Sequence, residues 1–300
     1  MSEVIVRKVD KSVINKHFFI LTVGLLFFEL ICIYLNYIID GKFIISLANK
    51  YSLTYTSLLA SLTIVILIVS YILLLFYLKI VGKGIKFKNK KINNVNFIYY
   101  ILLVLNTTFI SILISNIFAN NTNLEVGLLN PIGFVNSNSN TWIFPILFII
   151  VYPFFEELIF RGYLLKNLTV YNSHFGIIVS AFLAALFHNN ALEFLPALLV
   201  GYLLGRIAFR YDSYILTYAI KLFNNLIFYL LLFIDNQLII ILLIILFFLL
   251  MVVLFFSPKR EKISRYHVLN VELYKLFVFN PLVFILLIIS IISNFMIFYI

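Results

Sequence analysis

Charge is scarce in this chain: 11% of its 300 residues are Asp, Glu, Lys or Arg, and only 12 residues are acidic. So few polar groups cannot cover a water-soluble globule, which excludes an ordinary soluble domain. Cysteine is limited to Cys32. That excludes an intrachain disulfide and a cysteine-based zinc cluster, so any chemistry must rest on Glu, His, Lys, Arg and Asn. No small-x-small cleavage pattern follows the first apolar window, which is also too long for a signal-peptide core and reads as a retained membrane anchor. Duplicated halves and paired broken helices are missing too, which argues against a transporter.

What is present is apolar: 64% of the residues are hydrophobic and the mean hydropathy is +1.11. Windows near 18–38, 57–78, 95–118, 141–160, 175–188, 194–209, 214–234, 237–256 and 277–300 approach or exceed the length needed to cross a hydrocarbon core of about 30 Å. The expected fold is therefore all-α, a polytopic transmembrane bundle of about 8–9 spans, the fifth and sixth windows being short. Three stretches organise it: N-terminal membrane helices with a basic loop (1–139), a central core (140–235) and C-terminal membrane helices (236–300).

The formal net charge of +10 raises the possibility of nucleic acid as a partner, but the distribution of the basic residues points to the bilayer instead. When the gaps between windows are assigned alternately to two sides, 19 of the 22 basic residues fall on one side, including Arg161, Lys166, Arg206 and Arg210. The segment "NNTNLEVGLLNPIGFVNSNSN" on the other side has no Lys or Arg. The positive-inside rule then places the N-terminus in the cytoplasm. Lys42 and Lys50 are the exceptions on the far side, and Lys221 falls in the middle of a span.

An ionised side chain near the bilayer centre costs about 2.5–3.5 kcal/mol on insertion scales, so each such group needs a partner or a task. Glu29 stands alone in the first span and reads as a local structural group. The stretch "VYPFFEELIFRGYLL" carries the adjacent pair Glu156 and Glu157. Glu157 and Arg161 are four residues apart on one helix face, the spacing of an ion pair. Glu156 is rotated by about 100° and can point elsewhere, which would separate a structural carboxylate from a reactive one. His188 closes "AALFH", and Lys221 and Asn225 share a helix face in "KLFNN". Together these groups supply a base, an imidazole, a cation and an amide donor, a set suited to adding water to a carbonyl. In that scheme Glu156, helped by His188, activates water, and Asn225 with Lys221 faces the oxyanion. The same groups can also simply neutralise one another in a scaffold.

These residues resemble the CPBP intramembrane proteases, also called the CAAX protease or Abi family, which include type II CAAX prenyl endopeptidases and bacterial proteins of bacteriocin processing and immunity. The family pattern is Glu-Glu-x-x-x-Arg, then Phe-x-x-x-His, then His-x-x-x-Asn on successive helices. Here the first element is "EELIFRG", after Pro153; the second keeps His188 but has Ala184 in place of Phe; the third keeps Asn225 but has Lys221 in place of His. The resemblance spans roughly 140–230. It implies an intramembrane endopeptidase with Glu156, Glu157, Arg161, His188, Lys221 and Asn225 as its site, acting on a peptide or membrane-protein substrate in a bacterial plasma membrane. The alternative is a catalytically silent member serving as an immunity or regulatory scaffold. A divalent metal is disfavoured by Lys221, because a charged ammonium has no lone pair to donate.

One geometric condition follows. Straight helices would put Glu156 and Lys221 in the inner half of the membrane and His188 near the outer face. Convergence therefore requires a re-entrant stretch over 162–176, or tilted or broken helices near Gly162 or Gly176.

Overall fold

The computed structural model describes residues 11–38, 45–46, 49–50, 55–81, 87–122, 146–188, 191–231, 237–256 and 271–296. Lys42, the segment 123–145 with most of the Lys- and Arg-free stretch, and the basic loop at 257–270 lie outside them. Among the described residues every regular element is helical and none is a strand.

The N-terminal helices are α1 (Lys11–Ile38), α2 (Tyr55–Val81) and α3 (Asn94–Thr122). A rod of alternating winding follows: a π-helical turn at Leu147–Val151, α4 (Tyr152–Glu157), a π-helical stretch at Leu158–Leu165 and α5 (Lys166–Thr169). Next come α6 (Ser173–Leu186), α7 (Ala191–Tyr211) and α8 (Tyr214–Leu231), then α9 (Gln237–Phe255), α10 (Val271–Val278) and α11 (Pro281–Met296). Among the described residues four helices are long and apolar enough to cross a membrane, five if α10 and α11 form one span bent by 66°. Other windows that the sequence reads as spans supply apolar stretches within helices: Ile68–Leu78 in α2, Ser173–Leu186 as α6 and Ile241–Phe255 in α9. The all-helical membrane character holds, and the described helices include four to five candidate spans.

Aromatic side chains fill the centre. Phe18 and Phe28 of α1, Tyr71 of α2, Phe160 of the π stretch, Phe175 and Phe187 around α6 and Phe277 of α10 are buried in one cluster. Phe28 stacks on Tyr71 with ring centroids 4.8 Å apart and meets Phe187 edge-on at 5.1 Å. A second cluster joins Tyr99, Tyr100 and Val104 of α3 to Leu204, Ile207 and Tyr211 of α7. In lipid, association depends on such packing and on small residues that let backbones approach, because burial in lipid tails gives no preference for protein over lipid.

Small residues set the geometry around the central rod. Asn172 caps α6 by accepting from the Phe175 N–H at 3.0 Å, so the rod reverses direction in a short turn at 170–172. Gly176 sits where the returning helix meets the outgoing one: a Cβ there would lie 2.8 Å from the Thr169 backbone nitrogen, so no larger residue fits without moving the backbone. Gly201 on α7 faces Ala181 of α6, and a Cβ would come within 3.1 Å of Arg161 Nη2. The missing side chain leaves the space that the guanidinium occupies.

Candidate functional site

The rod carries Glu156 and Glu157 at the end of α4 and Arg161 inside the π stretch. All three are buried, at 2%, 0% and 2% exposure. Arg161 Nη1 lies 3.1 Å from Glu157 Oε1, the pair expected from the i, i+4 spacing, and 3.9 Å from Glu156 Oε1. Both carboxylates thus face the same group. The clean separation expected from a 100° rotation is not seen, and the π winding that begins at Leu158 accompanies this convergence; π segments commonly occur at functional sites.

The remaining members come from two other helices. His188 Nε2, just past the end of α6, lies 3.9 Å from Glu156 Oε1. Lys221 of α8 pairs directly with Glu156 Oε2 and lies 3.7 Å from Glu157 Oε1. Glu156 therefore meets the ammonium directly with the imidazole 3.9 Å away, whereas the nearest cation to Glu157 is the guanidinium; the buried Thr217 hydroxyl, one turn before Lys221, donates to the Tyr214 carbonyl at 2.9 Å. Exposure divides the cluster in the same way. The side chains of Glu157 and Arg161 are 0% and 1% exposed, but those of His188 and Lys221 are 21% and 12%. The Glu156 side of the cluster is the one that opens outward.

Straight helices would put His188 and Glu156 at different depths; they converge because the chain reverses at 170–172, inside the 162–176 stretch that the sequence marked. The rod does not end near residue 160 but continues to Thr169, and the chain turns at 170–172. Glu156 and His188 then lie at comparable separations on either side of that turn, and at ~1.5 Å per residue they reach the same level. The misplacement came from reading Arg161 and Lys166 as loop residues. Arg161 is interior, and Lys166 pairs with Asp212 at the α7–α8 corner.

Asn225 is one turn beyond Lys221 on α8, and Asn224 Nδ2 donates to its Oδ1 at 3.4 Å. Asn224 Oδ1 in turn accepts from Thr108 Oγ1 of α3 at 3.1 Å. Thr108 and Thr217 were not singled out from sequence. The run "LNTTFISIL" in α3 was the available signal for Thr108, but hydroxyls in apolar helices commonly bond back to the preceding turn, as Thr108 also does to the Val104 carbonyl at 2.9 Å. Glu29 is likewise buried in α1, at 2% exposure.

Several charged atoms of the cluster lack hydrogen-bond geometry. Both Glu157 oxygens and Arg161 Nε and Nη1 are buried without a hydrogen-bond partner. They are held by charge at close range, so removing one charge would leave another uncompensated. The donor set does not fit a metal ion: Lys221 lies on Glu156 Oε2, and among the described residues no three His, Cys, Asp or Glu group as ligands would. No step below is routed through one.

Residues 138–227 match the family model for Rce1-like type II CAAX prenyl endopeptidases, a match that supports membership of the CPBP, or CAAX protease, family. The matched segment contains the rod and α6 to α8 up to Asn225, and hence all six site residues. No curated protein and no solved structure matches the chain.

Proposed function

We propose that the chain is an intramembrane endopeptidase in which Glu156 is the general base. The observation that carries this reading is the meeting of Glu156, His188 and Lys221, from three separate helical elements, within 4 Å on the open side of an otherwise sealed cluster inside the family-matched segment. Water reaching this side meets a carboxylate flanked by an imidazole and an ammonium. Glu156 takes a proton as the water oxygen attacks the peptide carbonyl, and His188 is placed to relay that proton to the leaving amine. Lys221 supplies positive charge where negative charge develops on the carbonyl oxygen, and Asn225, one turn away, offers an amide donor. Glu157 and Arg161 form the rigid backing that fixes Glu156. The substrate class is a peptide or a membrane-protein terminus that reaches the site within the bilayer.

A second reading rests on the direct Lys221–Glu156 pair. An ammonium seated on the carboxylate stabilises its charged form and weakens it as a base. In that case the protein is a silent member of the family, an immunity or regulatory scaffold. In both readings the membrane is a bacterial plasma membrane, the chain crosses it 8–9 times, the N-terminus is cytoplasmic and nucleic acid is not a partner.

Peptide termini in membranes from cells lacking the protein, compared with cells producing wild type or Glu156→Gln at equal membrane abundance, separate the two. New termini with wild type alone support the protease. Identical termini in all three, with both versions restoring the lost trait, support the scaffold.

A further inference from the structure

A second polar region lies at the other end of Arg161. A pocket of about 320 Å³ opens between the segment preceding α3, the turn after α5 and the C-terminal end of α7. Phe87, Leu165, Val170 and Phe209 supply apolar wall, Lys88, Lys90 and Lys166 supply cations, and Arg161 also lines it. Among the described residues Asp212 is the only acidic one in the lining.

Local pairings account for two of the four cations. Arg161 faces Glu157 at 3.1 Å, and Lys166 pairs with Asp212 while lying 5.2 Å from the centre of the Phe87 ring. Lys88 and Lys90 therefore leave the pocket with an excess of two positive charges. Backbone hydrogen bonds hold the loop. The Lys88 N–H donates to Asp212 Oδ2 at 3.2 Å, the Asn89 N–H to the Asp212 carbonyl at 3.2 Å and the Lys90 N–H to the Tyr211 carbonyl at 2.8 Å. The loop is thus fixed with both lysine side chains exposed on it.

The position of the pocket suggests its occupant. The spans Phe194–Tyr211 and Tyr214–Leu231 both end at the Asp212 corner, so the pocket lies where helices leave the hydrocarbon. Val170, 77% exposed, projects from the adjoining turn. A phospholipid offers the matching chemistry, a phosphate at the interface joined to apolar chains beside it, and basic pockets between membrane helices suit anionic headgroups. The volume is at the small end of ligand sites and suited to a headgroup.

We propose that this pocket binds the phosphate of an anionic phospholipid, with Lys88 and Lys90 as its charge partners. The inference is independent of whether the protein cleaves peptides.

The test is thermal unfolding of the purified full-length protein in neutral detergent. Mixed micelles containing phosphatidylglycerol are compared with phosphatidylcholine and with inorganic phosphate, for wild type and for Lys88→Gln/Lys90→Gln. Because the loop is held by backbone bonds, the double variant should keep the unliganded stability. The proposal expects phosphatidylglycerol alone to raise the unfolding temperature, and the double variant to need about tenfold more of it for the same rise. A control, Lys16→Gln/Lys275→Gln, which removes two exposed cations outside the pocket lining, should respond as wild type does. An equal response to phosphatidylcholine, a double variant as responsive as wild type, or a control variant that loses the response would overturn it. A full response to inorganic phosphate would show a free-phosphate site instead and overturn the lipid assignment.

Discussion

Two ion-paired regions share the central helices of this protein, and they differ chiefly in access to water. Around Glu157 and Arg161 the side chains are at most 1% exposed. Around Asp212 and Lys166 they are 15% and 32% exposed. In the first region the desolvation of each charge is offset only by its partners, so the group behaves as a unit that cannot lose a member cheaply. In the second, solvent screens the pair, and its worth is that of an interfacial salt bridge. Like pairings of acid and base therefore hold the interior of a membrane site in one place and merely fasten a loop in the other.

The largest expected effect is in the sealed region. Arg161→Met takes away the nearest cation of Glu157, leaving Lys221 at 3.7 Å, and is expected to destabilise the protein by about 3 kcal/mol, read as loss of folded protein in membranes. A variant as abundant and as heat-stable as wild type would break the comparison. On the open side, Lys221→Met keeps the length of the stem, and Arg161 still faces Glu156 at 3.9 Å. Folding should survive, while cleavage of a substrate identified from the membrane termini falls by about a hundredfold. Cleavage unchanged or increased would show that Lys221 restrains Glu156 rather than assisting it.

Packing of the rod against α6 comes next. Gly176→Ala must displace the Thr169 backbone and is expected to cost about 1–3 kcal/mol in thermal unfolding. The effect should reach the site, because the same turn sets His188 level with Glu156.

The smallest effect belongs to the corner. Asp212→Asn should cost at most about 1 kcal/mol. Burial acts to raise the Asp212 pKa, but hydrogen bonds from Lys166 and the Lys88 N–H, with the charges of Lys166 and Lys90, outweigh it and lower the value below the usual carboxylate range. A depressed folded-state pKa adds stability that is present above the unfolded value of about 3.9 and is lost as pH falls through the folded one. Wild type and Asp212→Asn should thus differ by a constant amount between pH 5 and 8 and converge in stronger acid. A gap that widens on acidification would refute the assignment.

How much of this was legible in sequence follows the same division. The Glu157–Arg161 pair could be read from spacing alone, since four residues along a helix return to one face. Lys221 as a partner of Glu156 was an open alternative, and the structure shows the contact. The depth of His188 was illegible for a physical reason. A buried arginine and a corner-paired lysine look, in a one-dimensional charge count, like the residues of a basic loop. That count moved the turn toward residue 160 and shortened the rod. Thr217 and Thr108 stayed hidden because a hydroxyl in an apolar helix most often satisfies itself locally.

The proposed chemistry gives adjacent carboxylates unlike tasks: Glu156 reactive, Glu157 structural. The most direct measurement sets Glu156→Gln beside Glu157→Gln, scoring membrane abundance and thermal stability together with the peptide termini that wild type generates. Glu156→Gln is expected to fold and to produce none of those termini, whereas Glu157→Gln, which removes the nearer of the two carboxylates facing the buried Arg161, is expected to lose folded protein. A folded Glu156→Gln that still generates them, or a Glu157→Gln as stable as wild type, would contradict it.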